Sequence, residues 1–227
     1  VELKGIGLHS GKAIDLVLKP AAADCGFVFV RTDLDPQFEI PALAQYVSKT
    51  DRGTTLSVEG VDVQTTEHVL AALVGCGINN CRIELNGAEV PILDGSSKPF
   101  VEAIQTAGIQ DQEALQEIFV VQENIHITDE ASGSEILIVP AESTSLTVLI
   151  DFETKVLGTQ NAVLHKMEDF PSEIASSRTF SFLHELETLL DQNLIKGGDL
   201  NNAIVYVNKT LDKETMDRLK KAFGKKE

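Results

Sequence analysis

Thr65-Thr66-Glu67-His68-Val69-Leu70-Ala71-Ala72-Leu73-Val74-Gly75 is followed, after a short turn, by Asn80-Cys81-Arg82-Ile83-Glu84-Leu85. The first segment predicts a helix with Val69, Leu70, Leu73 and Val74 on one face and a glycine stop; the second alternates apolar and polar residues and predicts a strand. Working outward, further strands are expected at Ile14-Asp15-Leu16-Val17-Leu18, Gly26-Phe27-Val28-Phe29-Val30, Ile136-Leu137-Ile138-Val139 and Leu146-Thr147-Val148-Leu149-Ile150, each bounded by Gly, Pro, Asn or Asp nearby. A second helix is expected from Lys98-Pro99 through Phe100, Val101, Ile104 and Ala107 to Gly108, and two more over Phe182 to Leu190 and Lys213 to Phe223. Helices and strands do not alternate strictly, which places the chain in the α+β class. The polar run Gln110-Asp111-Gln112-Glu113 divides it into residues 1–112 and 113–227, and Gly77-Ile78-Asn79-Asn80-Cys81-Arg82-Ile83 is faintly echoed by Asp199-Leu200-Asn201-Asn202-Ala203-Ile204-Val205.

With 227 residues, 43% apolar and 24% charged, the chain has the balance of a folded globular protein. Its 35 acidic against 19 basic residues give a formal charge of −16, which argues against non-specific nucleic-acid binding. Cys25, Cys76 and Cys81 form no Cys-x-x-Cys pattern and read as inert thiols of a reducing cytosol. No apolar run reaches the roughly 20 residues of a membrane span, and no basic n-region precedes an apolar one. A cytoplasmic protein is expected, trimmed at its start because Val1 falls inside a strand.

Glu67-His68 is the pair with most chemical promise. Neutral imidazole ligates zinc, and an adjacent carboxylate can take a proton from water. Adjacent helical residues point about 100° apart, so the two address one site from different angles. The plain alternative is a satisfied pair on an amphipathic helix. Gly5-Ile6-Gly7-Leu8-His9-Ser10-Gly11-Lys12 superficially resembles a phosphate loop, but its glycine spacing fits neither the dinucleotide nor the Walker pattern. It reads as a turn between strands with His9 at its tip, able to face a cleft. Pro91-Ile92-Leu93-Asp94-Gly95-Ser96-Ser97-Lys98-Pro99-Phe100 reads as an extended segment, a turn and a helix start capped by Ser96 or Ser97. Ser176-Ser177-Arg178-Thr179-Phe180-Ser181-Phe182 either caps the next helix or binds a sugar or oxyanion.

Gly5 to Lys12, Thr66-Glu67-His68 with Leu70-Ala71-Ala72-Leu73, Gly77-Ile78-Asn79-Asn80, Glu89-Val90-Pro91-Ile92-Leu93-Asp94-Gly95-Ser96, Arg178-Thr179-Phe180 and Ile195-Lys196-Gly197-Gly198 occur in that order. Together they resemble the LpxC family of zinc-dependent deacetylases. Leu183-His184-Glu185-Leu186-Glu187 and Gly197-Gly198-Asp199-Leu200-Asn201-Asn202 look closest to the Bacteroidetes branch, whose deacetylase can be fused to a hydroxyacyl-carrier-protein dehydratase.

The resemblance implies two similar two-layer domains, each with two helices packed on a sheet and the active-site cleft between them. It implies removal of the N-acetyl group of UDP-3-O-acyl-N-acetylglucosamine by zinc-activated water, the committed step of lipid A synthesis. By position, His68 is then the zinc (Zn2+) ligand, Glu67 the general base and Thr179 a holder of the tetrahedral oxyanion. Phe180 packs on the sugar, Phe152 lines the nucleotide side, and His9 also touches substrate. A β-α-β insert bearing Phe182, Leu186, Gly198, Ala203 and Val205 forms the acyl passage, where each buried methylene contributes about 0.8 kcal/mol. The family's His-Lys-x-x-Asp-x-x-Gly-Asp ligand helix does not occur before Glu227. His165-Lys166-Met167-Glu168-Asp169 shares part of that spacing, but it precedes Arg178 and meets Pro171, which would break the required helix. The chain is accordingly expected to be C-terminally incomplete and short of two zinc ligands. The alternative is a non-catalytic fragment that binds sugar nucleotide or acyl chain without metal; a small-molecule kinase is disfavoured by the lack of a phosphate loop.

Overall fold

Alternation along the chain decides the first layer. In the computed structural model, which describes residues 1–186, 196–208 and 211–222, β1 (Glu2–Ile6) and β2 (Ala13–Pro20) form an antiparallel hairpin around the turn at 7–12. Ile14, Leu16 and Leu18 of β2 face the core while Ala13 and Asp15 face out, as a period of two requires. β8 (Cys81–Leu85) buries Cys81, Ile83 and Leu85 in the same manner. With β3 (Phe27–Arg31) and β4 (Phe38–Pro41) the sheet runs β1-β2-β8-β3-β4, antiparallel except between β3 and β8. A smaller sheet joins β5 (Val47–Lys49), β6 (Thr55–Val58) and β7 (Val61–Val63). β6 and β7 meet through Glu59-Gly60, both at positive φ, the geometry whose twist suits a two-residue hairpin.

Two helices cover the five-stranded sheet: α1 (Glu67–Gly75) and α2 (Lys98–Ala107). Val69, Leu73, Phe100 and Ile104 share one core with Leu16, Phe29, Ile40 and Ile83. The buried face of α1 is Val69, Ala72 and Leu73, whereas Val74 is 47% exposed. The expected face is thereby corrected, because Val74 lies a further 100° round the helix from Leu73. Ser97 occupies the N-cap position of α2 without a side-chain cap bond. Its hydroxyl instead donates to the His68 carbonyl at 3.0 Å, and Ser96 Oγ accepts the Lys98 N–H at 3.1 Å.

Beyond the polar run at 110–113 the strands pair two by two. β9 (Ile125–Asp129) with β10 (Ser134–Ile138), and β11 (Leu146–Asp151) with β12 (Thr159–Leu164), are antiparallel hairpins that leave Ile127, Leu137, Val148 and Leu149 exposed. The arrangement of two helices on one sheet is formed by the first part of the chain. Packing also crosses the expected boundary: Leu164, Phe170 and Ala175, around α3 (Phe170–Glu173), belong to the core built by α1 and the first sheet. Pro171 sits in the first turn of α3, where its missing N–H is harmless, so it opens a helix instead of interrupting one. Exposed His165 precedes that helix, and Asp169 stands at its N-cap position without a side-chain cap bond.

β13 (Phe180–Phe182) and β14 (Ile204–Tyr206) are parallel, and the chain between them is helical at 183–186. The expected β-α-β unit is present to that extent; the remainder of the expected helix to Leu190 lies outside the described residues. α4 (Lys213–Ala222) matches the expected last helix except for Phe223, also outside them. Among the described residues no helix is long and apolar enough to cross a membrane.

Candidate functional site

Three local structures converge on a cavity of about 730 Å³. The β1–β2 turn contributes Leu8 and His9, the start of α1 contributes Thr65 and Glu67, and the loop before β6 contributes Asp51, Arg52 and Gly53. The opposite wall is the β13–β14 unit, with Thr179, Phe180, Phe182, Leu186, Gly198, Ala203 and Val205. Backbone contact docks that wall. Thr179 N–H donates to the Gly95 carbonyl at 2.7 Å, Arg178 Nε to the Asp94 carbonyl at 2.7 Å, and Gly197 N–H to the Leu8 carbonyl at 3.1 Å. Ile204 N–H closes on the Thr179 carbonyl at 3.0 Å, joining the two strands ahead of the helical turn.

Glu67 is the first residue of α1, and its Oε2 accepts the Thr54 N–H at 2.9 Å. That bond holds in place the carboxylate of a residue that lines the cavity. His68 is half-buried. Burial holds its imidazole below the usual pKa, and the charges of Glu67 and Asp94 oppose that shift only in part. The neutral form that results is the form that ligates metals. The ring is not part of the cavity wall, as Glu67 is. Among the described residues no three His, Cys, Asp or Glu side chains stand close enough together to hold a metal ion. These residues alone do not form a closed metal site.

The aromatic residues form a stack of their own. Phe180 makes edge contacts with Phe152 at 5.4 Å, Phe182 at 5.7 Å and Tyr206 at 5.6 Å between ring centroids. Phe152 is set behind the cavity wall, touching it through Phe180. Of the expected site residues, His9, Glu67, Thr179, Phe180, Phe182, Leu186, Gly198, Ala203 and Val205 meet at one cavity, while His68 and Phe152 stand beside it.

Sequence reasoning missed Arg52, Glu185, Glu89 and Tyr206. Glu185 uses Oε2 to accept the Phe182 N–H at 2.9 Å and the Ser181 hydroxyl at 3.1 Å, and Oε1 to pair with Arg52 at 3.3 Å. Burial alone would raise its pKa. The Phe182 and Ser181 hydrogen bonds, with the Arg52 and His184 charges, outweigh burial and hold the carboxyl below its usual range. A glutamate three residues after a helix cap is a legible capping signal, and it could have singled out Glu185. Nothing local marks Arg52, whose partner lies 133 residues away.

A family model described as "LpxC: UDP-3-O-acyl N-acetylglycosamine deacetylase" matches residues 1–223. The chain is 42% identical over 98% of its length to the "Bifunctional enzyme LpxC/FabZ" of Bacteroides thetaiotaomicron, of which it covers 48%. It is 46% identical over 89% of its length to the "UDP-3-O-acyl-N-acetylglucosamine deacetylase" of Myxococcus xanthus, covering 64% of that protein. The relative of the same name from Hahella chejuensis is 43% identical over 90% of the chain, with 68% of that protein covered. The chain thus spans about half the length of the bifunctional relatives it matches.

Proposed function

Because the chain belongs to the LpxC family, we propose that it binds UDP-3-O-acyl-N-acetylglucosamine and serves removal of the N-acetyl group, the committed step of lipid A synthesis. One observation carries the reading: a single cavity is lined both by Glu67 and Thr179, which bear a carboxylate and a hydroxyl, and by the apolar Phe182, Leu186, Ala203 and Val205. A polar headgroup joined to a long acyl chain has the same two characters.

In this reading a water oxygen adds to the acetamide carbonyl carbon while Glu67 takes the water's proton. The Thr179 hydroxyl donates to the oxygen that gains negative charge. The C–N bond then breaks, the proton passes to the leaving nitrogen, and acetate and a free amine result. Phe180 packs on the sugar, Phe152 supports it towards the nucleotide, and His9 meets the headgroup from the turn opposite. Zinc is the metal we assign, with His68 as one ligand; it would polarise the carbonyl and acidify water. The described residues do not close a metal site alone, and the steps given to Glu67 and Thr179 are those of the side chains themselves. The reading also includes a cytoplasmic site of action, and a dehydratase unit on the same polypeptide, the latter supported by relatives named "Bifunctional enzyme LpxC/FabZ".

Binding without turnover is the second reading, since the apolar lining of Phe182, Leu186, Ala203 and Val205 would hold an acyl chain whether or not hydrolysis follows. Titration calorimetry of the chain with UDP-3-O-acyl-N-acetylglucosamine and with UDP-N-acetylglucosamine, together with acetate release in added zinc, tests both. Burial of even two methylenes makes the acylated compound bind about tenfold more tightly. Acetate release that Glu67→Ala abolishes while zinc affinity persists supports hydrolysis. Acyl-dependent binding without acetate supports the second reading, and equal affinity for the two nucleotides sinks both.

A further inference from the structure

Glu89 is 1% exposed and bridges to Gln64 beside the cavity. Its Oε1 accepts the His9 N–H at 2.8 Å and the Thr65 hydroxyl at 3.3 Å, and its Oε2 accepts the Ser10 N–H at 2.9 Å. A buried carboxylate is costly unless its oxygens are engaged, and an ionised acceptor binds amide donors more strongly than a neutral one. All three donors belong to the cavity's rim or its immediate neighbour: His9 and Thr65 line it, and Ser10 follows His9. The turn is wrapped around the carboxylate so closely that a Cβ on Gly7 would lie 2.2 Å from Oε2.

The other side of the grip is strained. Thr65 is a β-branched residue at φ +58°, a costly conformation that persists only where the surroundings impose it. Its hydroxyl is held by Glu89, and the next residue is held by Thr54, whose carbonyl accepts from Thr66 N–H at 3.3 Å and Thr66 Oγ1 at 3.2 Å. Glu67 follows directly. One side chain thus ties the turn carrying His9 to the strained residue that aims Glu67.

We propose that Glu89 is a positioning residue, a buried two-pronged acceptor that fixes His9 and the entry to α1 relative to each other across the cavity. Only the choice of nucleotide probe below rests on the deacetylase reading. Glu89→Gln keeps the shape but presents an NH2 to one of the amide donors. Amide exchange by NMR on the full 227-residue chain should show His9 and Ser10 protected in the wild type. Their exchange should rise about tenfold in Glu89→Gln, with Phe29 and Ile83 unchanged, since one charge-assisted bond is worth at least that factor. Binding of UDP-N-acetylglucosamine should weaken, and in a His9→Ala background Glu89→Gln should add nothing further. Unprotected wild-type amides at His9 and Ser10 overturn the proposal even if Glu89→Gln fails to fold. So does a rise in exchange equal to that of the core, or strict additivity of the two substitutions. A wild-type chain that does not bind the nucleotide counts against the deacetylase reading instead, and the exchange pattern still decides the role of Glu89.

Discussion

Replacing Gly95 by alanine should undock the β13–β14 wall while leaving the first sheet folded. Gly95 sits at φ +84°, and an added Cβ would lie 2.0 Å from the Asn202 carbonyl oxygen and 3.3 Å from Thr179 Cγ2. Gly108, at φ +81° and ψ 163°, has nothing within 4 Å of such a Cβ, so Gly108→Ala measures a backbone cost alone, about 1–3 kcal/mol. At Gly95 the obstacle is backbone, which cannot rotate aside. Relief requires separating Asn202 from the 94–95 turn, and that breaks the Thr179-to-Gly95 and Arg178-to-Asp94 hydrogen bonds. Taking about 1 kcal/mol for the first and about 2 for the charged second, docking loses about 3 kcal/mol beyond the backbone cost. That corresponds to a shift in the docking equilibrium of roughly a hundredfold. Amide exchange at Ile204 should accelerate by that order, exchange at Phe29 should not, and affinity for the acylated nucleotide should fall in parallel. The reasoning fails if Gly95→Ala and Gly108→Ala are equally destabilised and Ile204 stays protected in both.

Phe170→Ala should cost about 3–5 kcal/mol and lower the melting of α1 and the first sheet together, because Phe170 belongs to their core; separate melting would show that 164–175 packs independently. Burial pushes the Cys81 thiol up to about 11 and raises Cys76 as well, while Cys25 is exposed. A neutral-pH thiol reagent should therefore label Cys25 at least about tenfold faster than Cys81, and equal rates would contradict the burial. The folded pKa of Glu185 is depressed, so its contribution is full above the unfolded carboxylate value of about 4.3 and disappears as pH falls through the folded value. The stability gap between wild type and Glu185→Gln should shrink on acidification through that window, by well under 1 kcal/mol for the half-exposed Arg52 pair; a gap independent of pH would rule the carboxylate out.

The periodicity of β2, β3, β8, α1 and α2 was legible because each element buries one face against a single core. Val74 was misjudged because hydrophobicity alone does not say where a helical stripe ends. The apolar residues of β9 to β12 announced strands correctly, yet pairing partners are not written in a strand's own sequence. At the site, Glu67, Thr179 and the insert residues received expected roles through family resemblance, whereas Glu89, though it opens the motif that runs to Ser96, received none. Two of its three donors, the His9 and Ser10 N–H groups, lie 80 and 79 residues away, and a backbone N–H is something every residue but proline possesses. A buried glutamate at an apolar segment such as Glu89-Val90-Pro91-Ile92 leaves only one sequence trace, an acid where a core residue is due.

The glycines that fail the phosphate-loop pattern gain their explanation from the same geometry. Gly7 has Glu89 on one side, and its carbonyl lies 2.0 Å from where a Gly197 Cβ would stand. Gly95 admits the Asn202 carbonyl in the same way. At these points a backbone or a buried side chain approaches where only hydrogen fits. The β1–β2 turn is consequently gripped twice, by Glu89 from beneath and by the Gly197 N–H bond to Leu8 from the insert. His9 sits between the two grips. A substitution that loosens either should therefore weaken headgroup binding through His9, but only one that loosens the insert should also weaken acyl binding. Comparing Glu89→Gln with Gly197→Ala on acylated and unacylated nucleotide separates the two: equal losses on both ligands are expected for the first, and a larger loss on the acylated ligand for the second. The opposite order would mean that the turn, not the insert, carries the acyl chain.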